Sequence, residues 1–200
     1  MYVRDAKNRE EVWLLDHIES MGLDDTAFRS RDYVVAIDEN SGEKAGFGRI
    51  RVHKFDPDSD ADEDREVCEL TSIGVLEGWR GQGVGAHVVE RLLEYASDEG
   101  FETVYTLTGE GGYLAQFGFR RIDESKLPKP LRERLEEKRD GVDPNAKPLA
   151  IDVAEFRMPE RLREAFKRAP DGRDEASSDE AAEDFGIDSE SATYKYDTGR

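Results

Sequence analysis

Val75-Leu76-Glu77-Gly78-Trp79-Arg80-Gly81-Gln82-Gly83-Val84-Gly85-Ala86 is the stretch whose reading decides the fold. An apolar run ends at Val75, a glycine-rich turn follows, and helical periodicity begins at Val84. Glycine lets backbone N–H groups turn toward an anion with no Cβ in the way, and a helix N-terminus adds its partial positive charge. Upstream, Cys68 to Val75 reads as a strand; downstream, Val84, Val88, Leu92 and Ala96 recur at helical spacing, with Val89 and Leu93 widening the stripe. The pattern predicts a strand, a pyrophosphate-binding turn and an amphipathic helix, in that order. Two other phosphate-binding patterns fit less well. Gly81-x-Gly83-x-Gly85 lacks the G-x-G-x-x-G spacing, and no Gly-Lys-Ser/Thr follows to reach phosphates and magnesium.

Arg80-x-x-Gly83-x-Gly85 resembles the Arg/Gln-x-x-Gly-x-Gly/Ala signature of the GNAT N-acetyltransferase superfamily. Thr103 to Leu107 supplies the next strand, and Tyr113-Leu114-Ala115-Gln116-Phe117-Gly118-Phe119 resembles that family's short helix closing on Gly-Phe. The resemblance runs from Met1 to Asp123, its specific motifs lying between residues 69 and 119. It implies an α/β fold with a mixed, mostly antiparallel central sheet flanked by helices. It also implies acetyl-coenzyme A as co-substrate. Ile73, Gly74 and Val75 would pair with the pantetheine arm as though it were an extra strand. Arg80, Gly81, Gln82, Gly83, Val84, Gly85 and Ala86 would hold the pyrophosphate.

Acetyl transfer needs a held thioester, a neutral amine and somewhere to place the developing oxyanion. Glu69 lies eleven residues before Arg80, where some members of the family carry a catalytic Glu, so the resemblance makes it the candidate general base. Burial between sheet and cofactor is expected to raise its pKa. The tyrosine that protonates the leaving thiolate in the family falls here on Leu114. Its neighbour Tyr113 is the second candidate catalytic residue. It sits about 100° around a helix from that position, so it is expected to pack or to line the substrate unless the turn is irregular. His17, His53 and His87 are too scattered for a metal or a triad and read as structural, and no metal is expected. Cys68 should face the opposite side of its strand from Glu69, in the core.

The 200 residues hold 47 Asp and Glu against 29 Lys and Arg, a formal net charge of −18. Such a charge argues against nucleic acid or an anionic membrane as partner. It suits a salt-rich cytoplasm that screens self-repulsion, and a halophilic, archaeal source is expected. A single cysteine excludes an intramolecular disulfide framework. The N-terminus has no apolar signal region and no run approaches a membrane span, so the expected location is cytoplasmic.

Size predicts one domain, read as a GNAT core at 1–123, a helix–strand–helix extension at 124–169 packed on it, and an acidic, disordered tail at 170–200. Within the core, Met1–Ala6 reads as a strand. Asn8-x-x-Glu11 then resembles a capping box opening a helix with Val12, Leu15, Ile18 and Met21 inward. Tyr33–Ile37 and Lys44–Phe55 form a hairpin, and Asp56–Glu66 reads as a solvated acidic loop. In the extension, Pro130 can open a helix with Leu131 and Leu135 inward and a stop at Gly141. Leu149, Ile151 and Val153 alternate as a strand, and Pro159 can open a last helix bearing Leu162 and Phe166.

The function expected is transfer of the acetyl group from acetyl-coenzyme A to a primary amine of a small metabolite, directly and sequentially. Amino acids are among the candidates, because Thr106-Leu107-Thr108, Tyr113-Leu114, Gly118-Phe119 and Lys126-Leu127-Pro128 are similar to the acetyltransferase domain of N-acetylglutamate synthases, departing from it at Gly109. An anionic acceptor would need cationic lining, for which Arg49, Arg51, Arg120 and Arg121 are available. Two alternatives stay open: a non-catalytic acetyl-coenzyme A sensor or partner-binding protein, which the absent tyrosine favours, and a protein lysine or N-terminal acetyltransferase. A homodimer is also left open.

Overall fold

The computed structural model describes residues 1–54 and 66–169. The acidic loop and the acidic tail read from the sequence lie outside these residues, apart from Glu66, which opens a strand. Seven strands form one sheet: β1 (Tyr2–Asp5), β2 (Tyr33–Ile37), β3 (Lys44–Lys54), β4 (Glu66–Val75), β5 (Thr103–Thr108), β6 (Arg120–Arg121) and β7 (Lys147–Asp152). Their order across the sheet is β1-β2-β3-β4-β5-β7-β6. Only β4 and β5 run parallel, so the mixed, mostly antiparallel sheet expected from the sequence is what the chain forms. The strand read at Leu149–Val153 within residues 124–169 is β7, which sits inside the sheet between β5 and β6.

Helices cover both faces. On one face α2 (Val84–Asp98) buries Val84, Val88, Val89, Leu92, Leu93 and Ala96, the stripe read from the sequence. Each fully buried Val or Leu contributes roughly 1.5–3 kcal/mol, so this one helix anchors the main core. The short α3 (Gly111–Ala115) and a helix at 160–169, here α5, join the same cluster through Leu114, Leu162 and Phe166. On the opposite face, α1 (Glu11–Ser20) packs Leu14 and Ile18 against Tyr33, Val35 and Phe47. Beside it, α4 (Lys129–Asp140) packs Leu131 and Leu135 against Leu107.

Two readings of the first helix shift by one residue. Ile18 is buried as read, but it is joined by Leu14 in place of Leu15, and Val12 points outward, 70% exposed. The reach-back bond of the cap comes from Glu10, whose carboxylate accepts from the Lys7 N–H at 2.8 Å, and not from Glu11 to Asn8. Glu10 also takes both guanidinium nitrogens of Arg4 at 2.8 Å. That fork–fork pair fixes where the helix begins and offsets the cost of burial, holding the Glu10 pKa down at about 2.

Candidate active site

The feature that makes a site is a fork in the sheet. Parallel pairing between β4 and β5 covers Cys68–Val104, Glu69–Tyr105 and Leu70–Thr106, then stops. Beyond Leu70, residues 71–75 of β4 have no partner strand on that side, while β5 continues against β7. A bulge starts the divergence. Phe47 pairs with Gly74 but Arg49 with Thr71, leaving an extra residue on β4, and Ser72 adopts a left-handed φ of 52°. The Ser72 hydroxyl donates to the Asp24 carbonyl at 2.6 Å and pins the bulge to the loop after α1. Ile73, Gly74 and Val75 thus have no partner strand on that side among the described residues.

The turn after β4 leads to the N-terminus of α2. Gly81 and Gly83 both have left-handed φ values, 76° and 74°. The first backbone bond into α2 is donated by the His87 N–H to the Gly83 carbonyl at 3.2 Å. Among the described residues, the N–H groups of Gly81, Gln82, Gly83, Val84, Gly85 and Ala86 donate to no protein acceptor. Six amides held around a helix start without partners are a fit for an oxyanion. Arg80 folds back, its Nε donating to the Val75 carbonyl at 3.2 Å, which leaves the rest of its exposed guanidinium at the mouth of this cradle. Gln82 hydrogen-bonds the Gly78 carbonyl and closes the turn.

Tyr113 does not point away from this groove. Its hydroxyl oxygen lies 3.0 Å from where a Cβ on Gly85 would stand, so it lines the first turn of α2, and Leu114 is the core residue. Burial keeps the phenol pKa above its usual value, against the pull of nearby Arg161.

On the α1 and α4 face, the fork is filled with charge. Glu69 is completely buried. Its carboxylate is 2.8 Å from His53 Nε2, 3.1 Å from Lys138 Nζ and 3.6 Å from Arg134 Nε. Arg134 also pairs with buried Asp24. Lys138 donates to the Thr71 hydroxyl at 2.9 Å and to the Leu107 carbonyl at 3.0 Å, bridging the two strands where they part. The raised pKa expected for Glu69 is overturned. Burial alone pushes it up, but the hydrogen bond from His53 and the charge of Lys138 outweigh that and hold it below the ordinary carboxylate value. Burial depresses Lys138 in turn, opposed by Glu69. Cys68, on the other face, is fully buried with its thiol pushed up to about 12, a core residue as expected.

Arg49 and Arg51 share the face of Glu69, standing across from Thr71 and Glu69 on the neighbouring strand. The Arg49 guanidinium donates to the carbonyls of Thr26 at 2.8 Å and Ala27 at 3.5 Å and lies 5.5 Å over the Tyr33 ring. It is fully buried, its Nε has no hydrogen-bond partner, and no carboxylate among the described residues pairs with it. Arg120 and Arg121 are exposed on the edge strand β6, away from this cluster, and Arg120 pairs with Glu155. Of the four arginines named from the sequence, Arg49 and Arg51 lie on the face of Glu69 and Arg120 and Arg121 do not, while Arg134 and Lys138, which touch Glu69, were not singled out. Their spacing of four on α4 was the available signal, since it puts both on one helix face.

The chain is similar to known proteins. A family model described as the acetyltransferase (GNAT) family matches residues 3–119. An uncharacterized N-acetyltransferase of Archaeoglobus fulgidus is 30% identical over 113 residues, 56% of this chain and 65% of that protein. An amino-acid acetyltransferase of Mycobacterium tuberculosis is 33% identical over 58 residues, 29% of this chain and 33% of that protein. The chain thus spans less than two thirds of the length of the relatives it matches. The fold matches N-acetylglutamate synthase from Neisseria gonorrhoeae, solved with coenzyme A and N-acetyl-glutamate, at a TM-score of 0.57 and 16% identity, covering 76% of this chain and 34% of that one. With the signature turn, the forked sheet and the family match extending over more than half of its residues, the chain belongs to the GNAT acetyltransferase family.

Proposed function

We propose that this chain moves the acetyl group of acetyl-coenzyme A directly to the primary amine of a small metabolite that carries a carboxylate, an amino acid being the simplest case. The observation that carries the carboxylate is Arg49, a fully buried guanidinium on the acceptor face with no anionic partner among the described residues. A buried cation is costly unless it is paired, and a substrate carboxylate would pair it. The amino-acid and N-acetylglutamate relatives support the same class.

Bound acetyl-coenzyme A supplies the activated thioester. The protein supplies the rest. The unpartnered amides of residues 81–86 and Arg80 hold the pyrophosphate, and the free edge at Ile73–Val75 takes the pantetheine arm. Tyr113 lines the groove at Gly85, away from the fork, so we assign it to cofactor binding and not to proton transfer. Glu69 is the carboxylate nearest the end of β4–β5 pairing. Kept ionised by His53 and Lys138, it is a weak proton acceptor, and its part would be to hold the amine through an N–H while the C–N bond forms, the amine proton leaving to water and the coenzyme A thiolate, released as the C–S bond breaks, taking its proton from water. Lys138 and Arg134 fix that carboxylate in place.

The test is release of free coenzyme A with amino acids and with their decarboxylated counterparts, in low and high salt, for the native chain and Arg49→Gln. The native chain should prefer the carboxylate-bearing amine by about 10–100-fold in kcat/KM, the worth of one charge-assisted hydrogen bond. Arg49→Gln should erase the preference. Equal turnover of both members of each pair by the native chain would refute the assignment.

A further inference from the structure

The helix at 160–169 is seated on the cofactor cradle. A Cβ on Gly83 would stand 2.3 Å from the Leu162 carbonyl oxygen and 3.2 Å from the Phe166 backbone nitrogen, so α5 touches the turn itself. Phe166 stacks on His87, one turn into α2, with ring centroids 3.8 Å apart and planes 10° off parallel. Leu162 and Phe166 are buried in the main core, so the seat is packed. Arg163 adds an ion pair to Glu90 at 2.9 Å.

This segment is also net basic in an acidic chain. From Arg157 to Arg168 there are five bases, Arg157, Arg161, Arg163, Lys167 and Arg168, against Glu160 and Glu164, in a protein of net charge −18. Arg163 and Lys167 are paired with carboxylates. Arg161 is not: among the described residues its one side-chain partner is the neutral amide of Gln116, at 2.5 Å, just past α3. Gln116 bonds back to the Tyr113 carbonyl at 2.8 Å, and the Tyr113 hydroxyl sits over Gly85. Arg161 therefore stands at the rim of the groove between α3 and the unpartnered amides of α2, exposed and without a counter-charge among the described residues.

We propose that α5 is part of the cofactor site, with Arg161 receiving a phosphate of the nucleotide half of coenzyme A beside the cradle. The inference rests on the acetyl-coenzyme A reading and deepens it. The chemistry is that of a phosphate oxyanion on a guanidinium, which holds it through parallel N–H donors. Two phosphate groups of the cofactor could supply it, the pyrophosphate or the 3′-phosphate.

The experiment is calorimetric binding of coenzyme A, 3′-dephospho-coenzyme A and pantetheine to the full chain, as native protein, Arg161→Ala and Arg161→Lys, with melting temperatures measured alongside. The native protein should bind coenzyme A far more tightly than pantetheine. Arg161→Ala should weaken coenzyme A about tenfold or more and leave pantetheine and the melting temperature unchanged, and Arg161→Lys, which keeps the charge without the parallel donors, should recover only part of the loss. A loss that vanishes with the 3′-dephospho form assigns Arg161 to the 3′-phosphate; a loss that persists assigns it to the pyrophosphate. Unchanged coenzyme A binding in Arg161→Ala overturns the proposal, and so does an equal loss for pantetheine, which would make the helix a mere prop. A native protein that binds neither coenzyme A nor pantetheine would instead bring down the acetyl-coenzyme A reading, and this proposal with it.

Discussion

Gly81→Ala and Gly83→Ala differ by two positions and should behave very differently. Both glycines have left-handed φ, so each alanine carries the same backbone penalty, roughly 1–2 kcal/mol. At Gly81 that is the whole effect, because nothing lies within 4 Å of the new methyl. At Gly83 the methyl would meet the Leu162 carbonyl at 2.3 Å, a backbone atom that cannot rotate away. Forced overlap of this kind adds about 1–3 kcal/mol, bringing Gly83→Ala to roughly 2–5 kcal/mol. The strain can be relieved by lifting α5, so the cost should appear there. Urea unfolding gives the two stabilities, and hydrogen exchange resolved by segment gives the place. Amides of 160–169 should exchange faster in Gly83→Ala and at the native rate in Gly81→Ala. Equal destabilisation of the two variants, with α5 protection intact in both, would refute the seating of the helix on the turn.

Glu69→Gln should destabilise the fold by about 3–5 kcal/mol, because Arg134 and Lys138 lose a buried counter-charge. Its folded pKa lies below the ordinary value, so the native state binds fewer protons than the unfolded chain and the stabilisation is present above the carboxylate range and lost as pH falls through the folded pKa. Urea midpoints measured from pH 7 to pH 3 should therefore converge for native protein and variant as acid is added; a gap that stays constant would contradict the ion cluster. Cys68, fully buried and pushed up to about 12, should resist alkylation at pH 8 for hours in the native state and react completely in urea, read by mass. Rapid labelling of the folded protein would show that β4 is not the packed strand described.

The strand, turn and helix from Cys68 to Ala96 were legible because each level agreed: apolar run, glycines at the turn, and a stripe of six residues that all reach the core. The first helix was less so, since Val12, Leu15 and Ile18 or Leu14 and Ile18 both satisfy helical spacing, and only the ion pair of Glu10 with Arg4 chooses between them. The place of β7 between β5 and β6 is a long-range pairing that no local pattern encodes. In the site, the cradle glycines were readable and the charged cluster was not. Arg134 and Lys138 sit in a run of acids and bases that reads as a solvated surface, and only the fork below them explains their burial.

The match to the family ends at residue 119, whereas α4, with Arg134 and Lys138, lies beyond it. In the function proposed above, the donor half would be built from the matched strand–turn–helix, and the charge packed around Glu69 would come in part from a helix beyond that match. The setting of Glu69 could be altered by rewriting that single helix, with the glycine-rich turn left as it is. Two sets of contacts that meet at one fork are thus free to change on separate schedules.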